Sequence, residues 1–213
     1  LAAQLLGLGL QHGDRLLVQL PNISELVLCY YAASKLGVVI SPIPIQYGGH
    51  EIARFAATLQ PAAMLTLGRF RDTELAAQAR QALADVPVWT LGTDLQCVVG
   101  TSGTTGTPKG VPRSHNMWRA MARNTMAAGD YQPGENLLVP FPLVNMAALG
   151  GFLFPSVING CKLVLHQPMD PQMFLRQIQE EQVNFTIAPP ALLNRLAQQP
   201  APSAPAPCPC RPP

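Results

Sequence analysis

The chain has 213 residues, of which 48% are hydrophobic and only 12% charged, with a formal net charge of +2. That apolar fraction is enough for a substantial core and excludes a disordered chain. Lys and Arg are scattered and nowhere clustered among aromatic residues. This argues against a polynucleotide groove and for small-molecule chemistry.

From the N-terminus, Leu1 falls inside a Leu/Ala-rich helical pattern with no initiator methionine, so no targeting segment can be read there. Arg15 to Leu20 is predicted as a strand and Pro21-Asn22 as a turn. Ser24 to Leu36 is predicted as a helix closed by Gly37, the residue expected just beyond a helix end. Val38 to Ile43 reads as the next strand, His50 to Leu59 as a helix, Ala63 to Leu67 as extended and Thr73 to Leu83 as a helix. Leu95 to Gly100 reads as an apolar strand. Past a Gly/Thr-rich loop, Ser114 to Ala128 is predicted as a helix ending at Gly129 and Leu137 to Val139 as a strand. Ala147 to Asn159, Lys162 to Leu165, Pro171 to Glu181 and Phe185 to Ile187 continue the alternation of helix and strand. The order implies a layered α/β fold with a mostly parallel sheet.

From Pro200 onward half of the last fourteen residues are proline and no apolar period survives. Residues 200–213 are therefore predicted as a disordered tail, read either as a linker or as an artefactual, frameshifted terminus. The most apolar stretch, around Ala147 to Ile158, is broken by glycines and Pro155. It falls short of the roughly 18 residues a membrane span needs, so it is expected to be a buried helix.

Five cysteines at 29, 97, 161, 208 and 210 form an odd set without regular spacing, and the first three lie among apolar neighbours that imply burial. A reducing, cytoplasmic setting follows. Cys208-Pro209-Cys210 has no histidine or second cysteine pair nearby, so no metal held by protein ligands is expected.

The most specific string is Thr101-Ser102-Gly103-Thr104-Thr105-Gly106-Thr107-Pro108-Lys109-Gly110. Glycines let backbone N–H groups approach an anion, the hydroxyls add donors and the lysine adds a point charge, a combination suited to a polyphosphate. The Walker pattern ends in Gly-Lys-Ser/Thr, whereas Pro108 precedes Lys109 and Gly110 follows it, so an ordinary nucleotide hydrolase is disfavoured. The bland alternative is a Ser/Thr/Gly linker that touches nothing.

The string resembles the phosphate loop of the acid-activating, adenylate-forming (AMP-binding) superfamily, which includes acyl-CoA and aryl-CoA ligases and aryl-acid adenylating enzymes. Leu20 to Leu26, Lys35 to Val39 with Pro42 and Pro44, and Phe185 to Ala191 are similar to further family stretches. Val111 to Asn116 resembles the branch of the 2,3-dihydroxybenzoate-activating enzymes. The resemblance covers residues 20 to 197 and implies residues 1–199 to be part of the large αβα N-terminal domain. It implies that Thr101, Ser102, Gly103, Thr104, Thr105, Gly106, Thr107 and Lys109 hold the ATP phosphates.

It also implies a substrate pocket containing Asn145, Met146 and Gly150. Where the aryl-acid group has Pro-x-x-His-Asn, this chain has Pro142-Leu143-Val144-Asn145, so Asn145 is matched to the family asparagine and the histidine is lost. Asn145 reads equally well as a helix cap. His115 is read as structural, and Trp89, Trp118 and the methionines at 117, 121 and 126 as packing groups.

The implied reaction is attack of a carboxylic acid, aryl or cyclic, on the α-phosphorus of ATP. Mg²⁺ and the loop would offset the repulsion between like charges, pyrophosphate would leave, and an acyl-adenylate would form. CoA or the phosphopantetheine of an acyl or aryl carrier protein would then take the acyl group as a thioester. After Ala191 no Tyr-Gly-x-Thr-Glu motif, ribose-binding Thr-Gly-Asp or catalytic lysine domain follows, and the span from Leu67 to Asp94 is shorter than usual. The fragment alone is expected to be inactive. The alternative is a non-catalytic, truncated or degenerate nucleotide-binding fragment.

Overall fold

The computed structural model describes residues 1–91, 113–166 and 170–198. The chain forms two compact units, residues 1–112 and 113–213. The predicted strand at 95–100, the Thr101–Lys109 loop and the Pro-rich tail at 200–213 lie outside the described residues.

The first unit runs α1 (Ala2–Gly7), β1 (Arg15–Gln19), α2 (Ser24–Leu36), β2 (Val39–Pro42), α3 (Gly49–Leu59), β3 (Ala63–Leu67), α4 (Leu75–Ala82) and β4 (Val88–Leu91). Its sheet is wholly parallel in the order β2-β1-β3-β4, with Leu17 opposite Ser41 on one side and Met64 on the other. The chain therefore turns back at β1: the crossover through α2 goes one way, and those through α3 and α4 go the other. Right-handed crossovers then place α2 on one face and α3 and α4 on the opposite face. The packing of α1 on α2 and of α3 on α4 agrees with this. Cover on both faces explains why all of β3, and β1 after Arg15, are buried without polar alternation. The α3/α4 side closes over Leu17, Ile43, Ile52, Met64, Ala79 and Leu83. Each large side chain among them contributes on the order of 1.5–3 kcal/mol of burial.

The helix α2 has the predicted bounds, and Gly37 ends it in the left-handed region at φ 68°, a conformation that a side chain would strain. Glu51 accepts the Gly48 N–H at 3.1 Å to open α3. Gln19, fully buried at the end of β1, is the polar clamp of this unit. Its Nε2 donates to the carbonyls of Pro44, Ile45 and Tyr47 at 3.3, 3.3 and 2.7 Å, fixing the segment between β2 and α3.

The second unit runs α5 (His115–Ala128), β5 (Asn136–Val139), α6 (Met146–Ala148), a π-helical turn (Leu149–Leu153), α7 (Phe154–Asn159), β6 (Lys162–Leu165), α8 (Pro171–Glu180), β7 (Phe185–Thr186) and α9 (Pro190–Ala197). Its sheet is parallel in the order β6-β5-β7. Leu138, Val164, Phe174, Val183 and Leu192 form a core cluster. The buried His166 accepts the Asp170 N–H on Nε2 at 3.4 Å, which leaves Nδ1 to donate to Gln177 Oε1 at 2.7 Å. Gln177 in turn donates to the Leu165 carbonyl at 3.1 Å. This chain of bonds ties the end of β6 to α8.

Several sequence readings are corrected here. The stretch expected as one buried helix at 147–159 is three joined pieces, and its end is not buried: Val157 is 55% and Ile158 42% exposed. Cys161, read as buried, is half-buried, whereas Cys29 is fully buried. Met117, read as a packing group, is 46% exposed. Trp118 does pack, stacking on Phe154 with centroids 5.4 Å apart.

Candidate functional site

The described part of the candidate site is built where α5 and the α6–α7 stretch begin. Ser114 caps α5 by accepting the Met117 N–H on Oγ at 3.3 Å, so the helix start does not need His115, which lies exposed in the first turn. Asn145 caps α6, its Oδ1 accepting the Ala148 N–H at 2.8 Å. An N–H can be received only by the oxygen, so this bond fixes the amide orientation and turns Nδ2, a two-proton donor, away from the cap. Capping and ligand contact are thus compatible in Asn145.

Met146, the next residue, is 46% exposed, and its Sδ lies 3.4 Å from Nη2 of Arg113. A thioether is a weak acceptor for a guanidinium. Between Arg113 and Gly129, and again from Asn136 to Met169, the sequence has no acidic residue. The ion pairs among the described residues all lie elsewhere.

Gly150 sits buried in the π-helical turn, where an added β-carbon would collide with Sδ, Cε and Cγ of Met121 on α5. A side chain at position 150 would therefore force the Met121 side chain on α5 to shift. The turn itself follows from Pro155, which has no N–H to offer the carbonyl of Gly151 four residues earlier. Phe154 N–H reaches back to the Leu149 carbonyl, and the Gly151 carbonyl is taken instead by the Tyr131 hydroxyl, which donates at 2.8 Å. Burial, with Cys161 and Glu135 adding to it, pushes the Tyr131 phenol above its ordinary range, so it remains a donor.

The structure thus brings Asn145, Met146 and Gly150 onto one continuous helical stretch, with the first two at its exposed start and the third inside. The loop residues Thr101, Ser102, Gly103, Thr104, Thr105, Gly106, Thr107 and Lys109 lie outside the described residues. Among the described residues no cluster of His, Cys, Asp or Glu could hold a metal, and no helix is long and apolar enough to cross a membrane. Sequence reasoning missed Arg113, whose contact is 33 residues away in the chain. It also missed Tyr131, although Pro155 inside a helical pattern was the signal that some carbonyl would need another donor.

A family model described as AMP-binding enzyme matches residues 1–207. The chain is 31% identical over 219 residues to a long-chain-fatty-acid–CoA ligase, FadD13, of Mycobacterium tuberculosis, covering 92% of this chain and 43% of that protein. It is 30% identical over 213 residues to a 2-succinylbenzoate–CoA ligase of Bacillus licheniformis, with 92% and 43% covered. Among solved structures, the o-succinylbenzoate CoA synthetase of Bacillus subtilis, in complex with its acyl-adenylate intermediate, superposes with a TM-score of 0.79. At 23% identity that match covers 95% of this chain and 56% of the other, and it speaks for the fold alone. The chain spans less than half the length of these two ligase relatives.

Proposed function

The chain belongs to the AMP-binding enzyme family, and from that premise we propose that it supplies the phosphate-holding and acid-facing part of an enzyme that activates a carboxylic acid with ATP. The observation that carries the proposal is the Thr101–Gly110 string, a dense set of hydroxyl and backbone donors with one lysine, lying inside the matched region. In this reading Thr101, Ser102, Thr104, Thr105 and Lys109 hold the β- and γ-phosphates, Thr107 adds a donor, and Gly103 and Gly106 allow close backbone approach. Mg²⁺ neutralises charge on the phosphates when bound. Fixing both anions in place removes much of the entropic and electrostatic barrier to attack by the carboxylate oxygen.

The acid is proposed to be aryl or cyclic, entering beside Asn145 and Met146, and the acyl group to pass to the thiol of CoA or of a carrier-protein phosphopantetheine. Coverage of 43% of each ligase relative favours a second statement, that this chain alone does not complete the reaction. The test is acid-dependent exchange of labelled pyrophosphate into ATP, run on the longest product of the gene with benzoates, cinnamates and fatty acids. Exchange with an aryl acid supports the reading. Exchange with none of the acids, by a protein that is folded and binds Mg-ATP, refutes it.

A further inference from the structure

We infer that Arg113 is the residue that receives the carboxylate of the acid, working with the Nδ2 donor of Asn145. The inference rests on the acid-activating reading above and adds a specificity residue to it.

Arg113 is exposed, and its Nη2 lies 3.4 Å from Met146 Sδ, a weak acceptor that leaves most of the guanidinium's donors unused. No carboxylate of the described residues pairs with it, and the stretches that form this corner contain no acidic residue. Asn145, adjacent to Met146, has its oxygen committed to the Ala148 N–H, so what it can present to a ligand is a donor. A guanidinium and an amide N–H₂ beside one methionine suit a molecule that carries a planar two-oxygen anion on an apolar body. The guanidinium takes both carboxylate oxygens in a fork, and the thioether covers the adjoining apolar carbon. A phosphate oxygen offers similar chemistry, so the experiment separates the two sources.

The test measures dissociation constants of the chain for benzoate, for benzamide as its neutral isostere, and for AMP, by ligand-observed NMR. The wild-type chain is expected to favour benzoate over benzamide about tenfold, the size of one charge-assisted pair. Arg113→Gln is expected to erase that preference while leaving benzamide and AMP binding unchanged, and Arg113→Lys to retain part of it. Arg119→Gln, a charge-matched control on the exposed side of α5, is expected to retain all of it. A preference for benzoate that survives Arg113→Gln overturns the inference, as does a wild-type chain with no preference. Weakened AMP binding with the acid preference intact assigns Arg113 to phosphate and also overturns it. The two readings fail separately. Acid-dependent pyrophosphate exchange that persists at full rate in Arg113→Gln removes Arg113 and leaves acid activation standing. A benzoate preference lost in Arg113→Gln, where the longest product of the gene is folded and binds Mg-ATP yet exchanges with no acid, removes acid activation and leaves the carboxylate site.

Discussion

Replacing Tyr131 by phenylalanine removes one oxygen and leaves the carbonyl of the buried Gly151 without its donor. A net hydrogen bond is worth about 1 kcal/mol, and an orphaned buried carbonyl costs about 1–3 kcal/mol, so unfolding of the second unit is expected to become about 1–2 kcal/mol easier. The origin of the vacancy gives a stricter test. Pro155 is the reason Gly151 lacks a helical partner, so Pro155→Ala supplies an N–H four residues on and offers the carbonyl a second way to be satisfied. In the Pro155→Ala background the cost of Tyr131→Phe is therefore expected to fall by at least about 0.5 kcal/mol, a coupling that a double-mutant cycle isolates. Trp118 stacks on Phe154, the first residue of α7, and reports on this region, while Trp89 lies in the first unit. A Trp89→Phe background makes urea unfolding followed by fluorescence specific to the second unit. Equal costs of Tyr131→Phe in both backgrounds would refute the account of the π-helical turn.

Asn145→Ala is expected to destabilise the second unit by about 1 kcal/mol through loss of the cap, read by the same fluorescence; an unchanged midpoint counts against the cap. Gln19→Leu leaves three carbonyls without their shared donor and is expected to destabilise the first unit by about 2 kcal/mol or more, measured through Trp89 in a Trp118→Phe background. Burial, reinforced by Glu25, pushes the Cys29 thiol from 9.0 up to about 12. The folded chain therefore holds this proton when the unfolded chain has lost it. Stability from this group is complete below pH 9 and is expected to fall between about pH 9 and 12, by up to about 1.4 kcal/mol per pH unit. Cys29→Ala should flatten that decline between pH 9 and 10, as urea titrations at stepped pH would reveal.

The layered parallel fold was legible because α2 and β3 have patterns with few alternatives: Ser24 to Leu36 is followed by a glycine, and Ala63 to Leu67 is an apolar run broken only by Thr66. Strand β4 was not, since Val88–Leu91 follows a proline, has three half-buried residues and an exposed Thr90, and carries no alternation to read. Helix α9 opens on two consecutive prolines and is only eight residues long, so its short apolar pattern was absorbed into the preceding strand and turn. The cap formed by Asn145 was legible from residue type, because Asn before a helical pattern is a cap, while its place in the proposed pocket came from resemblance. Gly150 was placed by resemblance, and its contact with Met121 depends on how two helices pack. Arg113 was illegible for a similar reason: its neighbour Met146 is local only in space. The phosphate loop remains a proposal read from sequence alone, on the density of donors in ten consecutive residues that lie outside the described part of the chain.

The central claim is that those donors hold the tail of ATP during carboxyl activation. The most direct measurement is acid-dependent pyrophosphate–ATP exchange by the longest product of the gene, compared with the same protein carrying Thr104→Ala, Thr105→Ala and Lys109→Ala together. Loss of two hydroxyl donors and a cation from the phosphates is expected to lower exchange by at least about 100-fold, with the fold intact by circular dichroism. Exchange at the wild-type rate in the triple variant would contradict it.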